Sequence, residues 1–360
     1  MTPFLGPETL ARAAGVPPES LLRLGANESA FGASPLVTQA LERELPRIQY
    51  YGDPELHELR EALARKHACS PDEVFVASGI DEVLALCLRA YLGDGGLALA
   101  AAGTYPTFFY QLAGLGGRCE TTDYAGTRPD IEQLADLAQL RKPAIVYLAN
   151  PDNPGGGLHS RAALTSWIAA IPPETLILLD EAYAEFMTVD ELLPLRSGSN
   201  LQPNLVRMRT FSKVYGLAGM RVGYAIAGTA VTATIEKIRQ HYGVTRLSAV
   251  AALAALGDDE FVRRVVRETA SGREAYHSLA HEIGLGSYPS STNFVLFECG
   301  TVTLASRLLP ALLKRGVFVR KPGSGALASC IRVTVGTPRE RELFASHLTA
   351  VLASLAFEST

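Results

Sequence analysis

Between Arg209 and Gly223 the chain reads Arg-Thr-Phe-Ser-Lys-Val-Tyr-Gly-Leu-Ala-Gly-Met-Arg-Val-Gly, a single lysine among small and hydroxylic residues. The amine of Lys213, once neutral, can attack an aldehyde and hold it as a Schiff base. Thr210 and Ser212 offer hydroxyls, and Arg221 offers a planar guanidinium further along. Such a set suits an anion with several oxygens, such as a phosphate. Taken alone, a Ser-Lys pair fits a solvated surface equally well.

Other reactive side chains stand where short apolar runs end. Ala77-Ser78-Gly79-Ile80-Asp81-Glu82 lies where a strand gives way to a helix. A helix N-terminus presents unpaired N–H groups and partial positive charge, which suits a phosphate. The same stretch also reads as a plain helix start capped by Ser78 or Asp81. Tyr105, in Thr104-Tyr105-Pro106, can stack on a flat ring or pack in the core. Asn150-Pro151-Asp152-Asn153-Pro154-Gly155-Gly156 has the composition of a tight loop. Asp180 follows the apolar run Leu176–Leu179, at the strand end where α/β sheets bind ligands. It can pair with a protonated ring nitrogen or cap the next helix, and Tyr183 follows closely.

Arg332 lies in a strand whose neighbours are apolar, and a buried arginine needs an anionic partner. Its fork suits a carboxylate. Arg320 fits either an anionic ligand or a structural ion pair. His277 and His281 share a helical face, but no third ligand accompanies them as a metal site requires.

The elements that position these residues follow from hydrophobic periodicity. Strands are expected at Val74–Ala77, Leu97–Ala101, Ala144–Leu148, Leu176–Leu179, Leu205–Met208 and Val222–Ala227. Helical patterns such as Asp81–Leu92 and Leu158–Ile171 lie between them, so βαβ units and a mostly parallel sheet are expected. A long helical pattern runs from Leu247 to about Ile283. Beyond it come strands at Asn293–Glu298, Val317–Arg320 and Ile331–Thr334, with helices at Thr303–Arg315 and Pro338–Leu355. The expected division is an arm over 1–25 with a short helix at Pro7–Ala14, a large domain over 26–245 and a small α+β domain over 246–360.

The length of 360 residues suits about two domains. An apolar fraction of 48% supplies ample core, and a net charge of −4 without a basic block argues against nucleic acid. The five cysteines are scattered without a Cys-x-x-Cys pair, which favours reduced thiols and a cytoplasmic protein. No secretory signal or membrane-spanning run is expected.

The stretch around Lys213 resembles the cofactor-lysine motif of fold-type I pyridoxal 5'-phosphate (PLP) enzymes, in the spelling of the histidinol-phosphate aminotransferase family. The phosphate turn, stacking tyrosine, Asn loop, strand-end Asp and Tyr, Lys213 and Arg221 follow in that family's order along nearly the whole chain. The resemblance implies a large domain with a mostly parallel seven-stranded sheet between helices, plus a smaller α+β C-terminal domain. It implies that Lys213 holds PLP as a Schiff base. The phosphate falls to Ser78, Gly79, Ile80, Asp81, Thr210, Ser212 and Arg221. Tyr105 covers one face of the ring, Asp180 meets its nitrogen, and Asn153 and Tyr183 meet its phenolic oxygen. Arg332 takes the substrate carboxylate, Arg320 its distal end, and Asn27 lies on the substrate side. Tyr51 is implied to reach the PLP phosphate of a neighbouring subunit, making the active unit a homodimer.

The implied reaction transfers an amino group between histidinol phosphate and a 2-oxo acid such as 2-oxoglutarate. Several positions depart from the family pattern. Ile80 replaces a small residue, Asp152 an asparagine and Gly155 a threonine. Phe4 replaces a tyrosine that can bond the substrate phosphate, and His241–Arg246 is spelled differently. Arg246 there adds charge near the site or is a surface residue at a helix start. An aromatic amino acid aminotransferase and a decarboxylase of a phosphorylated amino acid remain alternatives. A PLP-binding regulator is disfavoured by the lack of a basic patch and of a DNA-binding module.

Overall fold

The computed structural model describes residues 5–194, 202–323 and 325–357. Seven strands form the main sheet, in the spatial order Val74–Ala77, Gly223–Ala227, Leu205–Thr210, Leu176–Asp180, Ile145–Ala149, Leu97–Ala101, Arg118–Thr122. Neighbours run parallel except on both sides of Gly223–Ala227, which is antiparallel. The central strands are buried along their whole length, which is why they read as unbroken apolar runs. Their alternate residues feed two layers. Phe75, Ala98, Tyr147 and Met208 pack beneath the helices Ile80–Tyr91, Pro106–Gly114 and Thr229–Glu236. Val146, Leu148, Ile177 and Leu179 pack beneath Ile131–Arg141 and Arg161–Ala170 on the other face.

Arg118–Thr122 was not among the expected strands. It is one of the sheet's two edges and reads Arg-Cys-Glu-Thr-Thr, so it lacks the apolar run of its buried neighbours. The expected long helix from Leu247 to Ile283 is two helices, Arg246–Leu256 and Asp259–Glu282. Gly257 closes the first, and the Asp258 carboxylate caps the second by accepting from Phe261 N at 3.0 Å. The apolar periodicity runs through the break because both helices bury the same side.

The C-terminal part holds a three-stranded antiparallel sheet, Gly286–Tyr288, Phe294–Glu298 and Cys330–Thr334. Helices Asp259–Glu282, Val302–Lys314 and Pro338–Phe357 close it around Tyr276, Phe297 and Phe344, whose rings meet edge to face. Leu22–Arg23 pairs in parallel with Val317–Phe318, and Leu24 joins the same core, so the arm is stitched to this part. Among the described residues, no helix is long and apolar enough to cross a membrane.

Buried charge is concentrated on one strand of the main sheet. Arg207 and Arg209 both meet Glu181, at 2.7 and 2.9 Å, and Arg209 also meets Glu185 at 3.3 Å. Burial alone would raise the Glu181 pKa, but the two guanidiniums outweigh it and hold the carboxyl below its usual range. Removing one partner of such a network leaves uncompensated charge. Glu181→Leu strands two buried arginines, and a loss of about 3–5 kcal/mol is expected. Denaturant unfolding measures it; a change below about 1 kcal/mol would mean the network carries little of the fold.

Candidate active site

The functional side chains gather at the carboxyl edge of the main sheet. Gly223 lies opposite both Ala77 and Thr210, so one antiparallel strand brings its start against two parallel strand ends. Just before it, Arg221 adopts a left-handed backbone, φ 50°. Its guanidinium lies over Gly79: a Cβ there would come within 2.5 Å of an Arg221 nitrogen. Gly79 also has φ 85°, so both space and backbone require glycine.

The helix Ile80–Tyr91 begins here without a side-chain cap, contrary to the cap expected from Ser78 or Asp81. Gly79 holds the N-cap position, and Glu82 reaches back to accept from Ser78 N–H. The Asp81 carboxylate is drawn elsewhere, accepting from Tyr105 hydroxyl at 2.8 Å and pairing with Arg221 at 3.5 Å. Across from them, Thr210 hydroxyl donates to Ser212 Oγ at 3.0 Å. Guanidinium, hydroxyls and helix N-terminus therefore face one point.

A cavity of about 320 Å³ opens there. Ile80, Asp81, Tyr105, Thr210, Ser212 and Arg221 line one side; Glu28, Asn153, Asp180, Tyr183 and Lys213 are among the residues that line the rest. Ser78 and Gly79 stand behind it. Lys213 is half-buried, and its Nζ donates to the Asn27 carbonyl at 3.1 Å. Burial lowers its pKa to about 8, with nearby Arg332 adding to the effect. Asp180 accepts from Tyr147 hydroxyl at 2.6 Å and from Ala182 N at 3.0 Å. These neutral donors do not offset burial, which pushes its pKa up to about 6. Tyr147 was missed from the sequence; a tyrosine inside an otherwise apolar strand needs a partner for its hydroxyl, and that was the available signal.

A second cavity of about 320 Å³ shares Tyr105, Asn153 and Lys213 with the first and adds Asn27, Arg320 and Arg332. Arg332 has no ion pair among the described residues. It donates to Asn153 Oδ1 and to the Gly25 carbonyl, and its buried Nε has no partner. Within the chain its partners are thus neutral acceptors, and the anion that a buried arginine needs is not supplied by the described residues. Burial lowers its pKa to about 10. Arg320 bridges Arg332 through the backbone and donates to the Leu5 carbonyl at 2.9 Å.

Asn27 is buried, with φ 55°. It donates to Tyr183 hydroxyl at 2.9 Å, accepts from Thr334 Oγ1 at 3.1 Å and accepts at its carbonyl from Asn293 at 3.1 Å. Asp152, fully buried, accepts from Tyr124 hydroxyl at 3.0 Å and Gly155 N at 2.8 Å. Burial pushes its pKa up to about 7. Gly155 cannot be threonine in this backbone, because a Cβ would meet the Thr127 carbonyl oxygen.

Tyr51 lines neither cavity. It is 77% exposed, and its ring lies tilted against Tyr242 with centroids 4.6 Å apart. Arg246 starts a helix, as one reading expected, but it is also bonded to the Tyr51 loop. Phe4 lies outside the described residues.

The cavity asks for a group with three features. It needs a cation against Asp180, an anion at the glycine cradle and an electrophile beside Lys213. A sheet in this order, with a lysine presented beside its one antiparallel strand, is the architecture of fold-type I PLP enzymes, and PLP carries all three features. Residues 19–348 match the model of the family "Aminotransferase class I and II", and the chain belongs to that family. It is 34% identical over 336 residues to "Histidinol-phosphate aminotransferase 2" of Carboxydothermus hydrogenoformans, with 92% of this chain and 91% of that one covered. A second relative of the same name, from Pseudomonas aeruginosa, is 33% identical, with 96% and 93% covered. The crystal structure of histidinol-phosphate aminotransferase from Sinorhizobium meliloti in complex with pyridoxal-5'-phosphate superposes with a TM-score of 0.94. It is 39% identical, with 98% of this chain and 96% of that one covered. The protein is a PLP-dependent transaminase acting on small molecules and resembling the histidinol-phosphate aminotransferases.

The Lys213 environment predicts a pH profile for cofactor capture. A protonated amine cannot attack an aldehyde, so capture of PLP by cofactor-free protein should rise about tenfold per pH unit. It should level off above about 8 rather than near the ordinary lysine value of 10.5. Stopped-flow absorbance checks this. A rate still climbing past pH 9.5 would contradict the lowered pKa.

Proposed function

We propose that this chain transfers an amino group between histidinol phosphate and a 2-oxo acid such as 2-oxoglutarate, with Lys213 holding the cofactor aldehyde. The carrying observation is the second cavity, where Arg332, with no ion pair among the described residues, lies beside Lys213 together with Arg320. Kinship to histidinol-phosphate aminotransferases over most of the chain supports the same reading.

PLP when bound supplies an electron sink for the charge left at the substrate Cα. Asp180 keeps the ring nitrogen protonated, since the new cation returns its raised pKa toward the ionised range. Arg221, Ser212, Thr210 and the turn Ser78, Gly79, Ile80 and Asp81 hold the phosphate; at Ile80 only the backbone N–H is needed. Tyr105 covers the ring, while Asn153 and Tyr183 serve its phenolic oxygen. Lys213 moves the proton at the substrate Cα, a task suited to an amine whose pKa is near 8. Arg332 gives its unpaired Nε and fork to the carboxylate of the 2-oxo acid. Arg320 takes the anionic far end of the donor, and Asn27 borders the substrate through its carbonyl beside Lys213.

The active unit in this reading is a homodimer in which Tyr51 reaches the phosphate of the second copy. The exposed patch of Leu45, Ile48, Tyr50, Tyr51 and Tyr242 supports it. A cytoplasmic location, and a division into an arm over 1–25 and bodies over 26–245 and 246–360, complete the reading. Tyr105 and Tyr110 give the second cavity an aromatic wall, which favours an aromatic amino acid donor as the second reading.

Two measurements test the reading. Histidinol phosphate should remove the visible band of the bound cofactor at far lower concentration than phenylalanine; the reverse order would select the aromatic donor. Lys213→Ala should lose that band and slow turnover by about 10⁴-fold. Retention of both would mean another residue holds the aldehyde.

A further inference from the structure

Arg246 occupies a costly position. It is the first residue of the helix Arg246–Leu256, where the helix dipole disfavours a cation. Three bonds occupy its guanidinium. Nη1 pairs with Glu44 at 2.8 Å, Nε donates to the Tyr50 carbonyl at 3.3 Å, and Nη2 donates to the Tyr51 carbonyl at 2.6 Å. The next residue, Gly52, lies flat against the helix start: a Cβ there would come within 3.3 Å of Arg246 Cα. Two residues along the helix, Ser248 hydroxyl donates to the Met220 carbonyl, immediately before Arg221. One helix start therefore grips both the Tyr51 loop and the Arg221 loop. The Tyr51 side chain itself is exposed and meets the ring of Tyr242, on the segment leading into that helix.

We propose that Arg246 is a positioning residue for the cofactor phosphate, acting across subunits by fixing the backbone from which Tyr51 reaches the second copy's site. This rests on the reading that Tyr51 enters the neighbouring site. A planar fork can hold two successive carbonyls and a carboxylate at once, whereas an ammonium cannot span them. The Tyr51 hydroxyl thereby arrives already ordered, and binding the phosphate no longer requires the loop to be fixed.

The test is the PLP dissociation constant of Tyr51→Phe, Arg246→Gln, Arg246→Lys and the double variant Tyr51→Phe/Arg246→Gln. It is measured from the visible band at equilibrium, with oligomer mass checked by light scattering. Tyr51→Phe and Arg246→Gln should each weaken PLP binding about tenfold, with the lysine variant intermediate. The double variant should bind no more weakly than Tyr51→Phe alone, because Arg246 acts through Tyr51. A merely structural arginine would instead give additive losses of about a hundredfold, or loss of the oligomer. Either result overturns the proposal, as does unchanged affinity in Arg246→Gln beside a weakened Tyr51→Phe. Unchanged affinity in Tyr51→Phe would overturn the cross-subunit reading itself, and the proposal with it.

Discussion

A Cβ on Gly223 would sit 2.7 Å from Ile80 N, 2.8 Å from the Gly79 carbonyl carbon and 3.1 Å from the Arg209 carbonyl oxygen. No side chain fits there, and this close approach governs the rest of the site. The antiparallel strand can start between Ala77 and Thr210 only because its first residue is a glycine. That start delivers Arg221 onto Gly79, at the N-terminus of Ile80–Tyr91, and sets it facing Thr210 and Ser212. Had all seven strands been parallel, the residue before the strand would lie at the opposite edge of the sheet. The cationic, helix-terminal and hydroxylic parts of the anion site thus meet through one inverted strand.

Charges on the two sides of this edge are treated in opposite ways. Glu181 and Arg209 are buried one residue away from Asp180 and Thr210, Arg207 lies two residues before Arg209 on the same strand, and the three satisfy one another. Asp180, Lys213 and Arg332 are held among neutral hydrogen-bond partners, and burial shifts each toward its uncharged form. Unmatched groups of this kind lower the stability of the empty site and raise the gain when charged ligands arrive. The paired network behind them keeps the strands in place while the front row stays unmatched. Perturbed carboxyl and amine groups are thus concentrated where chemistry needs them.

Much of this was legible in the sequence because each strand of the main sheet but one is buried on both faces. An apolar run followed by a polar cluster marked Ala77, Leu148, Leu179 and Met208 as strand ends, and the reactive residues follow directly. The edge strand Arg118–Thr122 escaped because an edge need not be apolar. The break at Gly257-Asp258 escaped because the burial pattern continues across it. Tyr147 escaped because its partner, Asp180, is on the neighbouring strand, and pairing between strands leaves no trace in local spacing. The helix start at Arg246 was legible, but its hold on the Tyr51 loop was not: its three bonds reach back to Glu44, Tyr50 and Tyr51, about two hundred residues earlier in the chain.

Asn27 shows how contacts of this range join the two sheets. Its side chain bonds Tyr183, beside the main sheet, and Thr334, on the C-terminal sheet, while its carbonyl accepts from Lys213 and Asn293. The left-handed backbone at Asn27 is tolerated better by asparagine than by most side chains. With its amide and both carbonyl groups already bonded, Asn27 is a joint between the two sheets rather than an open ligand donor. A substrate reaching Lys213 must therefore share or displace the Asn27 carbonyl. Arg332 and Thr334 lie on the same strand, Cys330–Thr334, so one run of bonds through Thr334 and Asn27 joins the strand that carries the arginine to the Lys213 amine.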